Sequence, residues 1–189
     1  MPDSPAPLSP GEFEDLLPSG LVTRADLDAW EKAAMLKGRR WAVGRRRAVS
    51  RVLSESFLRE LHRKMFGDTW RWAGNYREAD LAGRVPAELI PLALQGLIAD
   101  AESWIAEQAW PVRGIGARFH QRLVAVYPFP HGNGRWSRLA TDALMAALHE
   151  PLPTWGMQSH GDSPGSDYVE ALRQADSGQY DALVLFMWG

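Results

Sequence analysis

Apolar residues recur every three to four positions along most of this chain, which is the spacing of amphipathic helices. Stripes of this kind follow Thr23, Ser54 and Pro86, and they lie on both sides of Pro128. Thr23 and Ser54 are good N-cap residues, Pro86 suits a first helical turn, and Gly67 lies where a helix C-cap is expected. The sequence therefore predicts an all-α, mainly helical fold.

Each predicted helix carries apolar residues at helical spacing. These are Leu27, Trp30 and Ala34; Phe57, Leu58, Leu61 and Met65; Ile90, Leu94, Leu97, Ile98, Ala101, Trp104 and Ile105; Phe119, Leu123, Val124 and Val126; and Leu139, Ala143, Met145, Ala146 and Leu148. Pro128 disfavours helical geometry at Tyr127 and so ends one helix there. Asp167 and Glu170 have the spacing of a capping box, and the apolar segment 182–188 predicts a closing helix.

Two segments interrupt the helical pattern. Residues 1–20 are rich in Pro, Ser and Gly and predict an extended arm. The stretch 70–77 is aromatic and then turn-like, and it leads into a short extended piece near 76–81, so we expect at most one short β-hairpin. The predicted organisation is an arm over residues 1–20 and a single domain over residues 21–189.

Composition removes several classes of function. The chain has 189 residues, a formal net charge of −2 and no cysteine, which excludes disulfide scaffolds, thiolate catalysis and Cys-ligated zinc. We find no stretch that approaches the roughly 20 apolar residues that span a bilayer. Residues 1–7 lack the basic and apolar regions of a signal peptide. We therefore expect a cytoplasmic protein with no membrane partner and no nucleic-acid partner.

A local basic cluster is the exception to the balanced charge. It consists of Arg39, Arg40, Arg45, Arg46 and Arg47. Such a cluster is typical of a solvated helix face, and contact with nucleic acid or with an acidic partner is the alternative.

The loop between two of the predicted helices carries the clearest chemical pattern. Gly132 and Gly134 can adopt backbone angles closed to other residues, so that consecutive N–H groups, including that of Asn133, can point the same way. Such N–H groups at a helix start bind anions. Arg135 and Arg138 fall on one side of the first turn, and guanidinium groups suit forked phosphate contacts. The pattern predicts a phosphate-binding turn, although an ordinary glycine-rich connection with two surface arginines fits the spacing equally well.

Residues 127–138 read Tyr-Pro-Phe-Pro-His-Gly-Asn-Gly-Arg-Trp-Ser-Arg. This segment resembles the signature of the Fic family, His-Pro-Phe-x-(Asp/Glu)-Gly-Asn-Gly-Arg-x-x-Arg. The stretches 61–67 and 70–74 are similar to the segment that leads into the Fic flap, and 118–126 is similar to the helix before the signature. The resemblance covers about residues 20–188, and it is greatest to the small Fic proteins called mobile mystery protein B.

The resemblance implies a helical Fic core that binds ATP, or another nucleotide, with Mg²⁺. The implied reaction transfers AMP or another phosphate-containing group to a hydroxyl on a protein or a small molecule. The turn 132–134 would hold the phosphates, with Asn133 near the α-phosphate, and Arg135 and Arg138 would neutralise charge. Phe129 would be a buried plug that fixes the loop. A separate antitoxin-like regulator is a further implied partner.

Two positions of the signature depart from the family pattern. Tyr127 replaces the histidine that serves as general base, and a phenol ordinarily keeps its proton at neutral pH. Tyr127 is then a base, a nucleophile, a self-modified acceptor or an inert residue. His131 replaces the acidic magnesium ligand, and because magnesium prefers oxygen, an imidazole there weakens the site or favours a transition metal. A relocated base, a phosphate-binding residue and a plain loop histidine are the other interpretations of His131.

The predicted flap is also shorter than in the family, because the chain runs from Arg77 directly to Pro86. A shorter flap indicates a different acceptor, such as a small molecule. We therefore expect a divergent Fic transferase with non-standard chemistry at Tyr127 and His131. The alternative is an inactive module that binds a nucleotide or a partner, as in a toxin–antitoxin component.

Overall fold

Helices form the framework of the protein. The computed structural model describes residues 14–156 and 165–189. The helices are α1 (Arg24–Val43), α2 (Val49–Val52), α3 (Glu55–Phe66), a 3₁₀ turn (Ala87–Leu89), α4 (Ile90–Ala106), α5 (Val112–Val126), α6 (Asn133–Ala147), α7 (Ser166–Asp176) and α8 (Asp181–Trp188). Within the described ranges no strand forms, and an isolated antiparallel bridge joins Leu16 to Trp70. The prediction of an all-α fold is confirmed.

The predicted caps of the first long helices are present. The Thr23 side chain accepts from the Asp26 N–H and the Asp26 carboxylate accepts from the Thr23 N–H, which closes a capping box at the start of α1. Ser54 Oγ accepts from the Phe57 N–H at 3.2 Å and begins α3. Gly67 is the C-cap of α3. These local signals decide where the two helices begin and therefore which faces they bury.

The predicted capping box at Asp167 is wrong. The N-cap of α7 is Gly165 and it makes no side-chain cap hydrogen bond. Asp167 therefore lies inside the first turn instead of before it. The Glu170 carboxylate accepts from Arg173 and Gln174, each at 2.9 Å, and is not turned back to the helix start.

The main hydrophobic core surrounds the junction between α5 and α6. α1 packs on α3 and α6, and α5 packs on α4 and α6. The largest fully buried aromatic residues of this core are Phe57, Phe66, Phe119, Phe129 and Trp136. A second, smaller cluster joins α7 and α8 to the outer side of α5. The loop that follows α5 is thus anchored in the densest part of the molecule.

One helical stretch corrects the expectation about apolar segments. Residues Ala87–Ala106 form 20 helical residues with a mean hydropathy of 1.2, which is enough by length and composition to cross a membrane. Ile90, Leu94, Leu97 and Ala101 of this stretch are fully buried in the main core. An apolar face packed in this way is also what a core helix requires. The absence of a membrane partner stays a prediction.

The end of the predicted arm that the structure describes contacts the domain. The Leu17 N–H donates to the Thr69 carbonyl at 2.8 Å, and the Arg71 N–H donates to the Asp15 carbonyl at 2.9 Å. Residues 1–13 lie outside the described ranges, so the division at residue 20 stays a prediction. The piece near 76–81 forms no strand.

Candidate functional site

The connection from α5 to α6 contains two residues in left-handed backbone conformation. Tyr127 ends α5 with φ 49° and ψ 60°, and Gly132 precedes α6 with φ 76°. The left-handed region is uncommon for a bulky aromatic residue and costs about 1–3 kcal/mol, so the surroundings must hold Tyr127 in place. At Gly132 an added Cβ would lie 2.5 Å from the Phe66 ring. The second turn therefore requires glycine for its backbone angle and for space.

Asn133 closes the loop on itself. The Phe129 N–H donates to Asn133 Oδ1 at 2.9 Å, and Asn133 Nδ2 donates to the Phe129 carbonyl at 2.7 Å. Asn133 is 2% exposed and Phe129 is fully buried. The predicted plug at Phe129 is confirmed. Because both ends of the Asn133 amide are engaged within the loop, its contact with an α-phosphate stays a prediction.

The first turn of α6 has the geometry of an anion site. The opening N–H groups of a helix have no acceptor within it and carry the positive end of its dipole. The helix ladder begins with the Trp136 N–H, which donates to the Gly132 carbonyl at 2.9 Å. Gly134 is exposed, and a Cβ added there would meet nothing within 4 Å. The side of the first turn at Gly134 is therefore open, and phosphate binding to its N–H groups stays a prediction.

Arg135, one of the two predicted phosphate ligands, forms an ion pair with α1. Its Nη1 lies 2.7 Å from Glu31 Oε2. The other oxygen of Glu31 accepts from Trp70 Nε1 at 2.7 Å, so the carboxylate is held from two sides. Our sequence reasoning missed Glu31, because no local pattern links it to a residue 104 positions away.

Arg138, the other predicted ligand, is partly buried behind the turn. Its Nε donates to the Gly134 carbonyl at 3.2 Å, and burial lowers its pKa. Among the described residues it forms no ion pair with Asp142. That carboxylate accepts instead from Trp155 Nε1 at 2.9 Å. Burial raises the pKa of Asp142 to about 6, against the lowering effects of Trp155, Arg39 and Arg138.

Tyr127 is surrounded by arginines from the flap. The guanidinium of Arg84 lies over its ring at 4.8 Å, and Arg77 Nε donates to its carbonyl at 2.9 Å. The hydroxyl has no hydrogen-bond partner among the residues that the structure describes. No neighbouring base therefore draws the proton from this phenol.

Arg77 fastens the flap to the signature loop. It is 5% exposed. Besides the Tyr127 carbonyl, its guanidinium donates to the carbonyls of Ala79 and Val85, while its backbone N–H donates to the Pro128 carbonyl at 2.9 Å. In the sequence nothing distinguishes this arginine from its exposed neighbours, so its role was not predicted.

His62 connects the same two segments from the opposite side. The Gly74 N–H donates to Nδ1 at 2.9 Å, so Nε2 carries the proton and donates to the His131 carbonyl at 3.1 Å. The imidazole stacks on Phe129 at 3.7 Å between ring centroids. Burial lowers the pKa of His62 to about 3, which keeps it neutral. It is a structural histidine.

His131 is exposed, and its ring lies 5.5 Å from that of Trp72. The ring of Tyr127 lies instead beneath Arg84, so the two altered positions have different neighbours. Within residues 14–156 and 165–189 no group of three or more His, Cys, Asp or Glu residues could hold a metal ion. An imidazole at this position of the signature does not fit Mg²⁺, which takes oxygen ligands.

Comparisons with known sequences agree with this geometry. The model of the Fic/DOC family matches residues 52–145. The protein adenylyltransferase Fic of Culex quinquefasciatus is 32% identical over 138 residues, which are 69% of this chain and 26% of that protein. A uridine 5'-monophosphate transferase of Xanthomonas campestris pv. campestris is 39% identical over 59 residues, which are 31% of this chain and 9% of that protein. The chain thus spans about a quarter of the length of the Culex relative.

Solved structures share the fold. The N-terminal FIC domain of Bep8 from Bartonella sp. 1-1C superposes with a TM-score of 0.68 at 14% identity and covers 89% of this chain and 86% of its own. An N-terminal Fic domain from Bartonella quintana with bound ADP has a TM-score of 0.66 at 15% identity over the same shares. With its signature turn, its helical core and these matches, the chain belongs to the Fic/DOC family.

Proposed function

We propose that this chain is a divergent Fic transferase. It binds the phosphates of a nucleotide at residues 132–138 and transfers AMP, or another phosphate-containing group, to a hydroxyl acceptor. The observation that supports the proposal is the open first turn of α6 at Gly134, with Arg135 on that turn and Arg138 three residues further along the helix. Backbone N–H groups and guanidinium groups placed together stabilise the charge that builds up around phosphorus.

The chain's own residues supply positioning and one proton acceptor. With ATP as donor, the bond between the α-phosphorus and the pyrophosphate breaks as a new bond forms to the acceptor oxygen. The acceptor proton then needs a base. We assign that role to His131, because its imidazole is exposed, whereas the Tyr127 hydroxyl is not bonded to any described group that would remove its proton. No step of this scheme passes through a metal ion.

The relatives support a nucleotide as donor but do not decide between adenine and uracil as its nucleobase. One is named a protein adenylyltransferase and another a uridine 5'-monophosphate transferase. ATP and UTP are therefore both donors to test.

The experiment uses each nucleotide labelled at the α-phosphate, with native lysate as the source of acceptors. We expect label transfer by the wild-type chain and its loss in His131→Ala and Arg138→Ala. A Tyr127→His, His131→Asp double variant, which restores the family signature, is the comparison. If neither the wild type nor this variant transfers label from either nucleotide, the transferase proposal fails.

A second candidate is a non-catalytic module that binds a nucleotide or a partner. It is favoured by the engagement of Arg135 with Glu31 and by the unpartnered Tyr127 hydroxyl within the described residues. Titration calorimetry with ATP, ADP and AMP tests the nucleotide form, and binding without transfer would support it. Co-purification from native lysate tests for a stoichiometric protein partner, such as an antitoxin-like regulator.

A further inference from the structure

A cleft of about 470 Å³ opens between the flap, the signature loop and the described end of the arm. His131 and Pro130 form its side on the loop, and Asp15 forms its side on the arm. This volume suits a single long side chain or a small molecule. Because the proposed base lines the cleft, a group bound here lies next to the position that an acceptor hydroxyl must reach.

The charge of the cleft is negative. Asp15 and Glu78 line it, and neither carboxylate has a hydrogen bond or an ion pair with another described residue. Arg77 lines it as well, but its guanidinium is directed to the carbonyls of Tyr127, Ala79 and Val85. Among the described lining residues, the one permanent positive charge is thus already engaged, while two negative charges are available to a ligand.

The remaining wall is aromatic. Trp72 and Tyr76 line the cleft and are only partly buried. Aromatic faces attract cations and do not attract anions. The ring of Tyr76 also contacts the guanidinium of Arg59, which does not line the cleft, at 4.9 Å from its centroid.

We propose that the cleft binds a positively charged group of the hydroxyl acceptor. That group is a Lys or Arg side chain near the modified hydroxyl of a protein segment, or the ammonium of a small amino alcohol. The inference rests on the proposed transferase function and specifies its acceptor. An ammonium or guanidinium placed between Asp15 and Glu78, against the aromatic wall, would hold the neighbouring hydroxyl at His131.

Binding tests the cleft without any donor. Titration calorimetry at pH 8 compares the N-acetylated peptide amides Gly-Arg-Ser-Gly and Gly-Gln-Ser-Gly, so that the arginine supplies the positive charge, and compares ethanolamine with ethylene glycol. We expect the cationic member of at least one pair to bind at least 10-fold more tightly. The Asp15→Asn, Glu78→Gln variant should reduce that preference to below 2-fold. Glu88→Gln is the control: it removes an exposed carboxylate that does not line the cleft, and the preference for the cationic probe should stay unchanged.

The outcomes separate the two ideas. Equal binding of charged and neutral probes by the wild type, or a preference that survives the double variant, overturns the inference. The peptide pair and the small-molecule pair show which source supplies the cation. Transfer assays with the same probes then test the function. If charged and neutral acceptors are labelled at equal rates, the transferase function is supported and the cation specificity is refuted. If the cleft prefers cations in the binding assay but no acceptor is labelled, the cation specificity is supported and the transferase function is refuted.

Discussion

The carboxylate of Glu31 lies 2.7 Å from the guanidinium of Arg135, so α1 places a negative charge at the turn where we propose that phosphate binds. Glu31 is 13% exposed and Arg135 is 39% exposed, which leaves the guanidinium partly accessible from solvent. A nucleotide phosphate must therefore share or replace this partner. For the proposed phosphate site, the ion pair predicts an affinity that depends on Glu31, a residue outside the signature.

Glu31→Gln should strengthen nucleotide binding. The amide keeps an oxygen that can accept from Trp70 but removes the charge that competes for Arg135. A partly exposed ion pair contributes about 0.2–1 kcal/mol, so we expect an increase in ATP affinity of up to about 5-fold. Titration calorimetry measures it, with Glu60→Gln as the control because Glu60 pairs with Arg51 instead. Unchanged or weaker binding would contradict this interpretation.

Gly132→Ala and Gly134→Ala should have opposite effects on stability. At Gly132 the new Cβ meets the Phe66 ring at a left-handed backbone position, and we expect a loss of about 1–3 kcal/mol in the free energy of unfolding. At Gly134 the space is open and the backbone helical, so alanine should be neutral or stabilise by up to about 1 kcal/mol.

Nucleotide affinity distinguishes the two glycines further. Gly134→Ala places a methyl group at the open side of the anion turn and should weaken ATP binding although the fold is intact. Urea denaturation and calorimetry on the same preparations measure both effects. Normal ATP affinity in Gly134→Ala would show that phosphate does not approach the backbone there.

Arg77→Ala should release the flap. It removes three partly buried hydrogen bonds, to the carbonyl groups of Tyr127, Ala79 and Val85. We expect a loss of about 2–4 kcal/mol in the free energy of unfolding and faster hydrogen exchange over residues 75–85. Arg71→Ala, at an exposed neighbouring arginine, is the matched control. Equal exchange in both variants would mean that Arg77 does not hold the flap.

Acid should destabilise the fold. Burial lowers the pKa of both His62 and His120 to about 3, from the usual 6.5. The unfolded chain takes up protons on these groups below pH 6.5 while the folded chain does not, so stability falls as pH decreases from 6.5 towards 3, by several kcal/mol in order of magnitude. Asp142 acts in the opposite direction, because its raised pKa of about 6 favours the folded state as pH falls through 6. The two histidines together outweigh this one carboxyl.

Urea midpoints at pH 5, 6 and 7.5 measure this dependence, and NMR titration shows whether the two imidazoles stay neutral at pH 5. His62→Gln should reduce the pH dependence of the midpoint. His149→Gln is the control, since His149 is exposed. Protonation of both buried rings near pH 6.5 in the folded protein would refute the prediction.

Local signals explain most of what the sequence could predict. Thr23 and Ser54 are caps whose partners lie three residues away, and Phe129 belongs to an apolar pattern in a recognisable signature. The failure at Asp167 has the same origin, because a capping-box spacing exists there but the helix begins earlier. Glu31 acts through a contact that only tertiary packing creates.

Phe129 and Asn133 close the loop between them through two hydrogen bonds between positions four apart. Neither the side chain of residue 127 nor that of residue 131 takes part in this closure. Substitution of both residues is therefore compatible with the same turn, and the backbone that we propose as the phosphate site does not depend on the side chains at these two positions. A chain with tyrosine and histidine at these positions thus retains a scaffold on which a different chemistry can be selected.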